Sequence, residues 1–89
     1  MKPGDLVSVI DRYAIFWRER SHPLGGKDFR VESSDMMVVV EGPWTEEWFK
    51  PETGSRKETF VIVMHPEHGI VRGYAKSLMV ISEGPQQHE

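Results

Sequence analysis

Met36-Met37-Val38-Val39-Val40 and Phe60-Val61-Ile62-Val63-Met64 are two five-residue runs with an apolar side chain at every position. Each stops abruptly, the first at Glu41-Gly42-Pro43 and the second at His65-Pro66-Glu67-His68-Gly69. The runs have strand length, β-branched Val and Ile suit a pleated surface, and the Gly and Pro boundaries prevent continuation, so both are read as strands. A strand with one wet face alternates apolar and polar side chains. Runs without alternation are expected to be covered on both faces and to pair at the centre of a sheet. Something must then lie over the second face.

The segment between the runs is Trp44-Thr45-Glu46-Glu47-Trp48-Phe49-Lys50-Pro51 followed by polar residues to Glu58, read as a long aromatic insertion. Two roles stay open for Trp44, Trp48 and Phe49: a lid folded back over the central strands, or an exposed contact patch for a partner. Glu46 and Glu47 are adjacent, but an acid/base pair needs carboxyl groups that converge in a cleft, so they read as a solvated acidic turn.

Toward the N-terminus, Asp5 to Ile10 and Tyr13 to Trp17 are two more apolar stretches. Leu6, Ile10, Tyr13 and Trp17 also fall at helical spacing, yet the β-branched content and the lack of caps favour strand, bend, strand. Arg18 to Ser34 is polar and reads as a long loop. Toward the C-terminus, Ile70 to Gly73 is a short strand, Tyr74 to Ser77 has room for one helical turn, and Leu78 to Ile81 is a final strand. The unit strand, turn, strand is expected to close a barrel. Val7, Val9, Val38, Val40, Val61, Val63, Val71 and Val80 are the expected core.

The chain has 89 residues, a net charge of −3 and no cysteine, which excludes a disulfide framework and a thiolate zinc site. Area scaling at 10.3 kDa allows about 64% of the chain surface to be buried, enough for one modest core. One domain is expected over residues 1–83, with a flexible tail over 84–89. No run approaches the ~18 apolar residues of a membrane span and no leader pattern is seen, so a soluble protein of cytoplasm or virion is expected.

The opening Gly4-Asp5-Leu6-Val7 and the closing Gly73-Tyr74-Ala75-Lys76-Ser77-Leu78 resemble a small Src-homology-3-like β-barrel over most of residues 1–82. The resemblance implies an all-β barrel of five or six strands, one short helical turn, and two long loop insertions at Arg18 to Ser34 and Trp44 to Glu58. Neither insertion has the aromatic and acidic pattern of a proline-peptide-binding domain. The chain is also similar to small barrel proteins encoded by bacteriophages, which implies a non-enzymatic virion or accessory protein that contacts other proteins.

His65 and His68, with His22, supply the side chains a zinc or nickel ion would need, but Pro66 and Gly69 place the pair in a turn with no helical spacing to align the rings. No metal or cofactor is expected. There is no nucleophile elbow and no cysteine, so catalysis is not expected either. Nucleic-acid binding is the competing reading: Arg18, Arg20, Lys27 and Arg30 against Glu19 and Asp28 leave the first insertion at +2, beside Trp17 and Phe29. The second insertion, with Glu41, Glu46, Glu47, Glu52 and Glu58 against Lys50, Arg56 and Lys57, carries −2. The expected function is a protein-interaction or assembly module with Trp44, Trp48 and Phe49 as contacts and Trp17, Arg18 and Arg20 as a secondary surface, binding a protein partner or a second copy of itself.

Overall fold

The computed structural model describes residues 1–18 and 28–84. Arg20, His22 and Lys27 of the first insertion and tail residues 85–89 lie outside the described residues. The described residues form seven strands: β1 (Leu6–Val9), β2 (Tyr13–Arg18), β3 (Asp28–Glu32), β4 (Met37–Lys50), β5 (Gly54–His65), β6 (Gly69–Tyr74) and β7 (Leu78–Ser82). A 3-10 turn, Ala75–Ser77, joins the last two. All pairings are antiparallel, in the order β3-β2-β6-β5-β4-β1-β7. The sheet curls into a half-barrel, with β3 and β7 as its edges among the described residues.

The two apolar runs are neighbours, with Val38 opposite Met64 and Val39 opposite Val63. The concave face gathers the core: Val7, Val9, Phe16, Val31, Met37, Val39, Val61, Val63, Val71 and Leu78. Five of the eight expected core valines are there. Val38, Val40 and Val80 are instead 42%, 44% and 37% exposed, because β4 follows the ordinary alternation and turns Met37 and Val39 inward in place of Val38 and Val40. Val80 sits on an edge strand where the half-barrel is open. Unbroken apolar character thus covers both faces of β5, where Phe60 to Val63 are all buried, and only one face of β4.

Four other expectations are corrected. The strands number seven among the described residues, not five or six. The second insertion is not a loop: Trp44 to Lys50 and Gly54 to Phe60 continue β4 and β5 as one long hairpin. The first contains β3, which runs beside β2 from Tyr13 opposite Glu32 to Trp17 opposite Asp28. Nor does the final strand close a barrel among the described residues: the 3-10 turn carries the chain across to β1, where Val9 faces Leu78 and Val7 faces Val80, and β7 is left as an edge of the half-barrel.

Two hairpin loops share a design. Pro51-Glu52-Thr53-Gly54 and Pro66-Glu67-His68-Gly69 both place Pro first and Gly last, with Gly54 at φ 79° and Gly69 at φ 75°. That is the chemistry of a three-residue hairpin loop, in which a tight turn ends on a left-handed residue. In the second loop His65 completes the turn: its Nδ1 accepts the backbone N–H groups of Glu67 (3.0 Å) and His68 (3.1 Å). Gly73 has a different task. A Cβ there would lie 2.4 Å from the ring of the fully buried Phe16, so glycine makes the notch that lets β2 lie flat against β6.

Asp5 clasps the segment before β1 to the segment after β7. Its carboxylate accepts the Lys2 backbone N–H at 2.9 Å, the Lys2 Nζ at 2.7 Å and the Gly84 N–H at 2.8 Å. Those donors, Lys2 first and Gly84 next, lower its pKa from 3.8 to about 2. A lowered folded-state value favours the native state while the carboxylate is ionised, so the contribution is complete above 3.8 and is lost as pH falls from 3.8 toward 2. Urea titrations of the wild type and Asp5→Asn should show a midpoint gap at neutral pH that narrows across that window. A gap that stays constant through acid would contradict the clasp.

Candidate interaction surface

The convex face of β4, β5 and β6 is built from side chains that alternate with the core. In β5 Phe60 and Ile62 alternate with Val61 and Val63; in β6 Arg72 and Tyr74 alternate with Val71 and Gly73. Strand register aligns them into rows: Trp44 opposite Phe60 opposite Tyr74, and Ile62 opposite Arg72 opposite Trp17. Phe60 is the hub. Its ring centroid lies 6.0 Å from that of Trp44, 6.3 Å from Trp48 and 5.3 Å from Tyr74, and Tyr74 meets Trp17 edge to face at 5.2 Å. Offset and edge contacts at these separations are the favourable geometries for aromatic quadrupoles.

Arg72 crosses this platform. Its guanidinium carbon lies 4.2 Å from the Phe60 centroid and 5.2 Å from that of Trp44, within cation–π range. The side chain is only 11% exposed, a depth at which an arginine needs a counter-charge. Glu46 supplies it: Oε2 accepts from Arg72 Nη2 and also from Trp44 Nε1 at 2.8 Å. The Arg72 Nε–H meets no acceptor among the described residues.

Glu46 and Glu58 stand directly opposite each other on β4 and β5, a repulsive arrangement in isolation. Cations offset it on both sides, Arg72 at Glu46 and Lys76 Nζ at 3.1 Å with Arg56 Nη2 at 3.5 Å from Glu58. Lys76 reaches across from the 3-10 turn, so two ion pairs tie the distal hairpin to the body. Beyond Phe60 that hairpin has no third strand beside it among the described residues, where β6 pairs with β5 from Phe60 to His65 and β1 pairs with β4 at Met37 and Val38. A lone two-stranded ribbon is marginal in water. One face of this one is anchored through Trp44, Glu46 and Trp48, while Thr45, Glu47 and Phe49 occupy the other, with Phe49 69% exposed.

The three insert aromatics therefore divide. Trp44 and Trp48 are half-buried on Phe60, as a lid would be, and Phe49 faces solvent. Trp17 is 5% exposed against Tyr74 and shows little surface, whereas its neighbour Arg18 is exposed. Arg20 is outside the described residues. Arg30 lies 4.2 Å over the Tyr13 ring, and Arg18, Asp28, Phe29 and His68 line a cleft of about 280 Å³. Arg72 and Tyr74 were not singled out by the sequence reading, although their alternation with Val71 and Gly73 places them on the aromatic face; Glu46, expected in a solvated acidic turn, is instead a half-buried strand residue bonded to Arg72 and Trp44.

Both ring nitrogens of His65 are engaged. Since Nδ1 accepts two N–H groups, the proton sits on Nε2 and is donated to Asp35 Oδ2 at 2.9 Å, which holds the Asp35 pKa below its ordinary value. The buried Ser8 hydroxyl donates to the carbonyls of Ser33 (2.7 Å) and Asp35 (3.2 Å), so these polar groups fasten the turn before β4 to β1 and β5. Among the described residues no group of three or more His, Cys, Asp or Glu side chains converges as a metal would need. No helix among them is long and apolar enough to cross a membrane. No protein-family model, curated protein or solved structure matches the chain.

Proposed function

We propose that this chain is a non-catalytic protein-interaction or assembly module that engages its partner through the distal β4–β5 hairpin. The observation that carries the reading is the asymmetry of that hairpin: its anchored face is held by Trp44, Trp48 and the Arg72–Glu46 pair, and its other face presents Phe49 at 69% exposure. Holding the ribbon before the partner arrives lowers the ordering cost of binding, and an aromatic side chain on a rigid support is the usual kind of interface anchor. The Src-homology-3-like reading belongs to the same proposal and is supported by the β6, 3-10 turn, β7 unit over Gly69 to Ser82. A virion or accessory assembly role is the setting that the similarity to small phage-encoded barrel proteins implies. The runner-up, a barrel that binds single-stranded or duplex nucleic acid through the Arg18–Arg30 segment, is favoured among the described residues by exposed Arg18 and Arg30, but Asp28 sits beside Arg18 in the cleft they share with Phe29 and His68, and Arg30 lies apart over Tyr13.

The test compares wild type with Phe49→Ser in recovery of bound proteins from the source cell or virion. An exposed substitution should move stability by no more than about 0.5 kcal/mol, so an unchanged melting temperature with loss of the recovered protein is the expected result. Equal recovery by both proteins overturns the reading. Binding to DNA at low salt that disappears in Arg18→Ala/Arg30→Ala would favour the runner-up.

A further inference from the structure

His65 is a buried ring with a different kind of partner on each nitrogen. Nε2–H points at the Asp35 carboxylate, 2.9 Å away, and Nδ1 accepts the N–H groups of Glu67 and His68, so the ring closes the loop only while Nδ1 keeps its lone pair. An imidazolium has a donor at each nitrogen and no acceptor, and turning the ring over does not restore one. We propose that His65 makes this loop a proton-released latch: a second proton on the ring frees residues 66–68 and opens the cleft that His68 lines.

Which side of the ring gives way is set by what each side is tied to. Asp35 is fixed, since its N–H donates to the Glu32 carbonyl at 3.1 Å and its own carbonyl accepts the buried Ser8 hydroxyl at 3.2 Å. A charged ring also strengthens the bond to that carboxylate. The Asp35 pKa lies below its ordinary 3.8, chiefly through the His65 hydrogen bond, so the carboxylate stays ionised wherever imidazoles titrate. The loop is the outer side: Pro66, Glu67 and His68 are all exposed, while Gly69 is paired opposite His65 and stays with the sheet. The His68 ring centroid lies 4.7 Å from that of His65 and 4.2 Å from that of Phe29, a half-buried ring packed against the core. Arg18, Asp28, Phe29 and His68 line the cleft of about 280 Å³, so release of residues 66–68 draws His68 off Phe29 and removes one wall of it.

The charges around the ring act in both directions. Asp35 favours the added proton, exposed Glu67 in the loop favours it weakly through water, and His68 opposes it when charged itself. The turn before β4 adds the neutral Glu32 carbonyl behind Asp35, β1 adds the neutral Ser8 hydroxyl, and β6 adds Gly69. The closed loop has no place for a proton on Nδ1 and the released loop has one, so acid favours release and neutral pH favours closure.

Nitrogen NMR of the full chain from about pH 8 to about pH 5 tests the latch by following the His65 ring nitrogens together with the Glu67 and His68 amides. In the wild type, Nδ1 should change from acceptor to protonated nitrogen in the same step that takes both amides from hydrogen-bonded to free chemical shifts, with the Val61 and Val63 amides unmoved. His68→Gln should keep that step at His65 and at both loop amides. Asp35→Asn should move it to lower pH by about one unit or more, because the ring loses the anion that stabilises its charge. A ring that stays neutral down to the acid end in the wild type overturns the proposal. So does a ring that gains its proton while the two amides stay in place, a step that vanishes in His68→Gln, or one that Asp35→Asn leaves at the same pH.

Discussion

Truncation of Phe60 to alanine is expected to destabilise the fold by about 3–5 kcal/mol, the range for deleting a fully buried aromatic ring. Phe60 is 0% exposed and is the ring on which Trp44, Trp48, Tyr74 and the Arg72 guanidinium converge, so four side chains lose packing when it goes. For a domain this size that is a fall of about 15 °C or more in melting temperature. The effect also has an address. Trp44 and Trp48 should become wetter and their emission should move to the red, while Val61→Ala, one residue away on the concave face, should lower stability and leave the emission near that of the wild type. Urea unfolding followed by both circular dichroism and fluorescence reads the two effects separately. A loss under about 1 kcal/mol would show that the platform is not packed as a unit.

That hub was half legible in the sequence. The apolar run from Phe60 to Met64 announced a strand and demanded cover on both faces, and cover is present: Val61 and Val63 face the core, Phe60 and Ile62 face the platform. The matching run from Met36 to Val40 made the same demand by the same reasoning, and there it fails. Composition reports how a side chain partitions from water; it does not report whether a neighbour exists to receive it. Cover over β5 comes from the distal hairpin, which lies beyond the two ladder slips between Val39 and Trp44, so it reaches Phe60 and leaves Val38 and Val40 in the open.

The hairpin itself was mistaken for a loop because Pro43, Pro51 and Gly54 punctuate it and Glu46-Glu47 is polar. Two signals, an alternation and a repeated turn, were nonetheless present. Trp44, Glu46 and Trp48 fall on one side of a strand and Thr45, Glu47 and Phe49 on the other. Pro-Glu-Thr-Gly at 51–54 and Pro-Glu-His-Gly at 66–69 spell the same turn twice, which marks β5 as the strand between two hairpins. β3 offered the same kind of evidence, with Phe29 and Val31 alternating against Asp28, Arg30 and Glu32, too sparsely apolar to stand out from the polar residues around it. Glu46 could not be read as a structural residue at all, since its partner Arg72 is 26 positions away and only register brings them together.

Removing that carboxylate is the second large effect. Glu46→Ala leaves the Arg72 guanidinium, 11% exposed, without its counter-charge, and it also deprives Trp44 Nε1 of its acceptor. Breaking one side of a buried pair typically costs 3–5 kcal/mol; Glu46 is 32% exposed, so water can partly replace it and a loss of about 2–3 kcal/mol is expected. The origin can be isolated because the cost comes from a stranded charge. Arg72→Met with Glu46→Leu removes both charges and keeps apolar volume over Phe60, and this double variant should recover most of the stability lost in Glu46→Ala. Added salt should rescue Glu46→Ala only weakly, since screening acts on exposed charge more than on a group beneath two aromatic rings. Limited chymotrypsin digestion then asks whether the pair also holds the hairpin in place. If it does, cleavage at exposed Phe49 accelerates in Glu46→Ala and returns toward the wild-type rate in the double variant. If cleavage is unchanged in both while stability still falls, the two tryptophans alone fix the ribbon and the ion pair serves only to neutralise Arg72.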